Sequence, residues 1–122
     1  MAQMGFAESG VLAALTDADS DTLNELPFGV VKMDLDGTVL EYNHAEAKLS
    51  GLSRENVIGR NFFTQVAPCT NNFMVAERYH QNDTLDETID YVFTYRMRPT
   101  EVRLRMLKDA TRAAQFLLVE RL

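Results

Sequence analysis

The last third of the chain alternates. Ile89, Tyr91, Phe93, Tyr95 and Met97 put an apolar or aromatic side chain at every second position. A period of two marks a strand with one covered face, and a helix cannot seat it. Pro99-Thr100 is then expected to turn the chain. Val102, Leu104 and Met106 alternate with Arg103 and Arg105, and Gln115-Phe116-Leu117-Leu118-Val119 closes the series. Arg103, Arg105 and Lys108 read as a solvated strand face. Upstream, Phe28–Met33 and Thr38–Tyr42 flank Asp36-Gly37. Asp-Gly between two β-rich runs predicts a hairpin, with positive φ expected at both turn positions.

Short helices fill the middle. Asn43 is placed to cap a helix through about Ser50, with Glu46 three residues on and Gly51 to end it. Ser53 starts another short turn ending at Gly59. Residues 61–70 are expected to be irregular, because Pro68 favours a loop. A helix over about 73–82 follows from the spacing of Phe73, Ala76, Glu77 and His80. Residues 1–26 form a helical cap, with Val11, Leu12 and Leu15 at helical spacing and an Asp or Ser of the acidic run 17–21 free to cap a second short helix. The expected fold is α+β: an antiparallel five-stranded sheet with short helices on one face and the cap, 1–26, on the other face of the core, 27–122. This order resembles that of a PAS domain.

Composition narrows the function. In 122 residues, 46% are hydrophobic and 25% charged, which suits one globular domain with one core. The net charge of −6 repels phosphate backbones, so neither nucleic acid nor an anionic membrane surface is an expected partner. No run of about 18 apolar residues and no leader pattern is present, and the lone Cys69 forms no internal disulfide, so a cytoplasmic protein is expected. His44 and His80 stand in unrelated contexts, so no metal site is expected.

Two places could carry chemistry. At about 100° per residue, Tyr42, Glu46 and Ser50 fall within an arc of about 80° at the edge of the face to be buried. One reading makes Glu46 a helix cap and Tyr42 a core aromatic with a wet tip. The other makes the three a polar stripe aimed at a buried polar ligand. The second place is Cys69. A lone cysteine is by default a small buried hydrophobe. A loop cysteine after Pro68 can also be a nucleophile or an attachment point. A thiol enzyme would need a base and an orienter, and neither histidine has one adjacent.

Together these residues resemble the photoactive yellow protein family of PAS-fold blue-light receptors. The resemblance rests on Phe28-Gly29, Tyr42-Asn43 with Ala45-Glu46, Val57-Ile58-Gly59 with Asn61-Phe62-Phe63, Val66-Ala67-Pro68-Cys69-Thr70, and Tyr91–Met97 followed by Pro99-Thr100. It implies p-coumaric acid (4-hydroxycinnamic acid) held on Cys69 as a thioester. It further implies that Tyr42 and Glu46 donate hydrogen bonds to the buried phenolate and that Ser50 bonds Tyr42. Phe62, Val66, Phe93, Tyr95 and Met97 would wall the pocket, and Met97 would assist thermal recovery. Light would drive trans-to-cis isomerisation, Glu46 would pass on its proton, and the cap would be released. No catalytic residue is expected. A separate, unknown signalling protein is the implied partner of a monomer or weak dimer. Leu52 departs from the arginine often found there, Ser50 from threonine, Ala47 from glycine and Phe116 from tryptophan. The alternative is a chromophore-free PAS interaction module.

Overall fold

The computed structural model describes residues 5–95 and 98–122, with Tyr95 and Arg98 by their backbone alone. Two helices, α1 (Val11–Asp17) and α2 (Ser20–Asn24), precede strands β1 (Gly29–Met33) and β2 (Val39–Tyr42). Helices α3 (His44–Ser50) and α4 (Arg54–Val57), a π-helical turn (Phe62–Val66), a 3-10 turn (Pro68–Thr70) and α5 (Ala76–Gln81) follow. Strands β3 (Thr84–Tyr95), β4 (Arg98–Asp109) and β5 (Ala114–Arg121) complete the chain. The five strands form one sheet in the order β2-β1-β5-β4-β3, with every neighbouring pair antiparallel.

Strand parity divides the core. Val31, Met33, Val102, Leu104, Met106, Leu117 and Val119 face inward, beneath Val57, Phe62, Phe63, Val75 and Tyr79 of the helical layer. Val30, Leu107, Phe116 and Leu118 face the other way and meet Phe6, Val11, Leu15, Leu23 and Leu26. The N-terminal segment thus covers an apolar sheet face that would otherwise meet water. Each fully buried side chain of this kind contributes about 1.5–3 kcal/mol.

Several local expectations change. The β1–β2 hairpin forms, but only Gly37 takes positive φ (92°). Asp34 builds the turn instead: its carboxylate accepts from the N–H groups of Asp36 and Thr38, both at 2.9 Å. Pro99-Thr100 does not turn the chain; both residues pair with Thr94 and Phe93 inside β4. Pro99 is tolerated because β5 begins to pair only at Val102, so a missing N–H there breaks no second ladder. Within residues 61–70, Phe62–Val66 and Pro68–Thr70 are helical turns. The Asn61 side chain accepts from Phe63 and Thr64 N–H and nucleates the π-helical turn. The helix expected at 73–82 is shorter, and Phe73 lies outside it at 79% exposure.

The cationic face is the largest correction. Arg103 pairs with Asp90 at the surface, but Arg105 and Lys108 are buried. Lys108 shares parity with Leu104 and Met106, so it points under the helical layer and donates to the Tyr79 carbonyl at 2.5 Å. The Tyr79 hydroxyl donates to the Phe116 carbonyl at 2.6 Å, tying α5 to β5. Burial pushes that phenol well above its ordinary pKa, so it stays a donor. Tyr79→Phe is expected to cost about 1–2 kcal/mol by stranding a buried carbonyl, read as a lower urea midpoint at unchanged slope.

Candidate functional site

Helix α3 sets the site. The Asn43 side chain accepts from Glu46 N–H at 3.1 Å, as the spacing expects. The backbone N–H of Asn43 donates to the Val30 carbonyl at 3.2 Å, so the cap closes onto β1. Glu46 turns inward instead, fully buried, with its carboxyl against Gly29. Gly51 ends the helix in the left-handed region (φ 75°). Eight residues on from Tyr42, Ser50 Oγ accepts from the Tyr42 hydroxyl at 2.7 Å and from Leu52 N–H at 3.1 Å. Tyr42, which ends β2 rather than lying on the helix, is therefore gathered with Glu46 and Ser50 along one buried edge of α3. Leu52 is half-buried against the same core.

Tyr42, Phe62, Val66 and Phe93 belong to one apolar cluster, and Cys69 packs half-buried at its rim. Cys69 sits in the 3-10 turn, not in a loop. Thr70 anchors that turn by donating both its N–H and its hydroxyl to the Ala67 carbonyl, at 2.9 and 2.7 Å. The Cys69 carbonyl accepts from the Tyr91 hydroxyl at 2.5 Å and from the Asn72 amide at 3.0 Å. The same amide nitrogen donates to Tyr91 Oη at 2.6 Å. Asn72 Oδ1 meanwhile accepts from Met74 and Val75 N–H. Tyr91 packs edge-on to Phe93, ring centroids 5.9 Å apart.

Tyr91 and Asn72 hold the backbone of Cys69, and the sequence reading assigned neither to the site. Tyr91 stands in the strand stripe and in a matching stretch, neither of which gives it a role. For Asn72 the signal was a polar amide two residues beyond a short helical turn, a common place for side-chain-to-backbone bonding. Gly29 stands in the first β-rich run and in a matching stretch, neither of which gives it a place beside the site. Met97 lies outside the described residues, as does the side chain of Tyr95. His44 and His80 are exposed on α3 and α5. Among the described residues no group of three or more His, Cys, Asp or Glu could hold a metal. No described helix is long and apolar enough to cross a membrane.

A family model described as the PAS fold matches residues 20–118. The chain is 35% identical over 124 residues to the photoactive yellow protein of Rhodothalassium salexigens, covering 99% of each. It is 36% identical over 120 residues to that of Halochromatium salexigens, covering 96% of each. The chain belongs to the photoactive yellow protein family. Its fold superposes, with a TM-score of 0.82 and 35% identity, on the crystal structure of the photoactive yellow protein domain from the sensor histidine kinase Ppr of Rhodospirillum centenum. That match covers 89% of this chain and 98% of the other. As a photoactive yellow protein relative, the chain is a light-sensing PAS receptor and not an enzyme. Its chromophore is of the p-coumaric acid type, and its single cysteine stands at the family's attachment position.

Proposed function

We propose that Cys69 holds 4-hydroxycinnamic acid as a thioester and that Tyr42, Glu46 and Ser50 form the cradle for its phenolic oxygen. The observation that carries this reading is the gathering of Tyr42 at the end of β2 with Glu46 and Ser50 of α3, all buried, within the core that Cys69 borders. The donor set suits a phenolate. Such an anion, taken from water, costs several kcal/mol unless strong donors face it. Tyrosine and a neutral carboxyl group supply short, charge-assisted hydrogen bonds. When bound, the group supplies a light-absorbing double bond that isomerises from trans to cis.

The protein's own residues do the rest. Tyr42 has one proton. In the structure it goes to Ser50. For Tyr42 to donate to the ligand, Ser50 must donate to Tyr42, and its oxygen still accepts from Leu52 N–H. Ser50 is thus a two-way relay that keeps Tyr42 satisfied in either state. Glu46 is fully buried, and burial favours the neutral form, the only form able to donate. Passing that proton to the phenolic oxygen leaves a carboxylate in the core. A charge created in the core in this way destabilises its surroundings by several kcal/mol. The N-terminal segment is the part that loosens in response. Tyr91 and Asn72 keep the Cys69 backbone in register throughout. Phe62, Val66 and Phe93 exclude water from the thioester.

The test is a visible spectrum of the purified chain after treatment with an activated p-coumaroyl donor, with Cys69→Ala alongside. A strong red-shifted band in the wild type alone, bleached by blue light and recovering in the dark, is the expected result. Glu46→Gln should keep the band and lose the light-driven proton transfer. No band, or an equal band in Cys69→Ala, would point to a chromophore-free interaction module.

A further inference from the structure

Arg105 is a buried cation that the photochemistry does not use. Its side chain is 7% exposed, on the outer face of β4. Nε and Nη2 donate to the two carboxylate oxygens of Asp86 on β3, both at 2.9 Å. Asp86 lies on the diagonal of the antiparallel pair, where Thr88 is the direct partner. The opposite edge of the guanidinium faces the N-terminal segment. Nη1 donates to the Phe6 carbonyl at 2.9 Å and to the Glu8 carbonyl at 2.7 Å. Phe6 itself packs edge-on against Phe28, ring centroids 5.8 Å apart. Among the described residues, no other sheet side chain hydrogen-bonds the backbone of residues 5–9.

The second half of the segment is held elsewhere. Ser20 donates to Glu41 at 2.7 Å, the Asn24 side chain accepts from His44 N–H at 3.0 Å, and the Leu23 carbonyl accepts from Asn43 at 2.8 Å. So α2 is tied to β2 and α3, whereas α1 and the residues before it depend on Arg105 and apolar packing. The extended Ala18-Asp19 link between α1 and α2 separates the two attachments. A planar guanidinium suits this task. One edge is fixed by a bidentate carboxylate, which aims the other edge at two carbonyls with little further loss of side-chain freedom.

We propose that Arg105, oriented by Asp86, is the latch that holds residues 5–17 on the sheet, and that light-driven release opens at this latch while α2 stays docked. The second half rests on the cap release proposed above. β3 supplies a physical connection, since it carries both Asp86 and the Tyr91 that grips the Cys69 carbonyl.

The experiment is hydrogen exchange read by mass spectrometry, on the full chain with its chromophore and on the untreated chain. Arg105→Gln should raise dark exchange in residues 5–17 by about tenfold or more, as expected for the loss of two charge-assisted hydrogen bonds. Exchange in residues 20–24 should not change, and an unchanged visible band would show that the core is intact. Asp86→Asn should give a smaller increase, because the carbonyl contacts remain but lose their orientation. Illuminated wild type should show the opened pattern over 5–17 alone. Wild-type dark exchange in Arg105→Gln, or opening that spreads equally over α2, would overturn the latch. A latch that opens in Arg105→Gln while illuminated wild type stays closed would keep the latch and overturn the light-driven release.

Discussion

Asn43→Ala is expected to destabilise the protein by about 4 kcal/mol, more than any other single change of a polar side chain considered for it. Asn43 is buried and every polar atom of its side chain is used. Oδ1 accepts from Val30 N–H at 2.8 Å and from Glu46 N–H at 3.1 Å. Nδ2 donates to the carbonyls of Leu23 at 2.8 Å and Phe28 at 3.0 Å. One side chain therefore joins α2, the approach to β1, β1 itself and the start of α3. Alanine removes the helix cap, worth about 1 kcal/mol. It also strands the Val30 N–H and the Phe28 carbonyl, each costing about 1–3 kcal/mol less whatever water recovers, while the Leu23 carbonyl keeps its bond from Leu26 N–H. The check is urea unfolding, with the loss appearing in the midpoint. Asn43→Asp separates the contributions. It keeps the acceptor for Val30 and Glu46 but turns a carboxylate toward the two carbonyls, so part of its loss should be recovered at acid pH. A change under 1 kcal/mol for Asn43→Ala would show that the network is not what joins these elements.

Gly29→Ala is expected to disturb the site more than the fold. Gly29 has no need of positive φ; its role is space. A Cβ there would stand 3.1 Å from Glu46 Cβ and 3.2 Å from Glu46 Cδ, and would overlap Glu46 Oε1 outright. The carboxyl must move, and it is a buried group packed from all sides. Overpacking of this kind costs about 1–3 kcal/mol. With the chromophore bound as proposed, moving the Glu46 donor should also shift the visible band. A double-mutant cycle with Glu46→Ala isolates the cause. If the clash is the cause, the two losses should be strongly non-additive, because removing the Glu46 side chain makes room for the new methyl group. Additive losses would mean that Gly29 matters for some other reason.

How far the site could be read from the chain depended on how local each relation is. Tyr42, Glu46 and Ser50 stand four residues apart, so a single periodicity places them on one arc; Tyr42 ends β2 rather than joining α3, yet the structure joins it to Ser50 as that arc allows. Whether Glu46 would cap the helix or enter the core was not decided there. That required Asn43 N–H to find the Val30 carbonyl across the hairpin and Gly29 to leave room beside it. The grip of Tyr91 and Asn72 on the Cys69 carbonyl spans 22 residues in one case and three in the other. Only the packing of β3 beside the 3-10 turn brings them together.

The strands themselves follow from alternation, which acts between neighbours in sequence and needs no knowledge of the whole, whereas their order does not, since β1 pairs with β5 at the other end of the chain. The same alternation puts Arg103 and Arg105 on one face and Lys108 on the other, but it cannot say which face meets water. That depends on what lies across the sheet. The helical layer closes over Lys108, and a segment about a hundred residues upstream closes over Arg105. A cation that is solvent-facing by local pattern thus becomes a buried, four-bonded anchor. Burial is a property of two surfaces, and the sequence of one strand describes only its own.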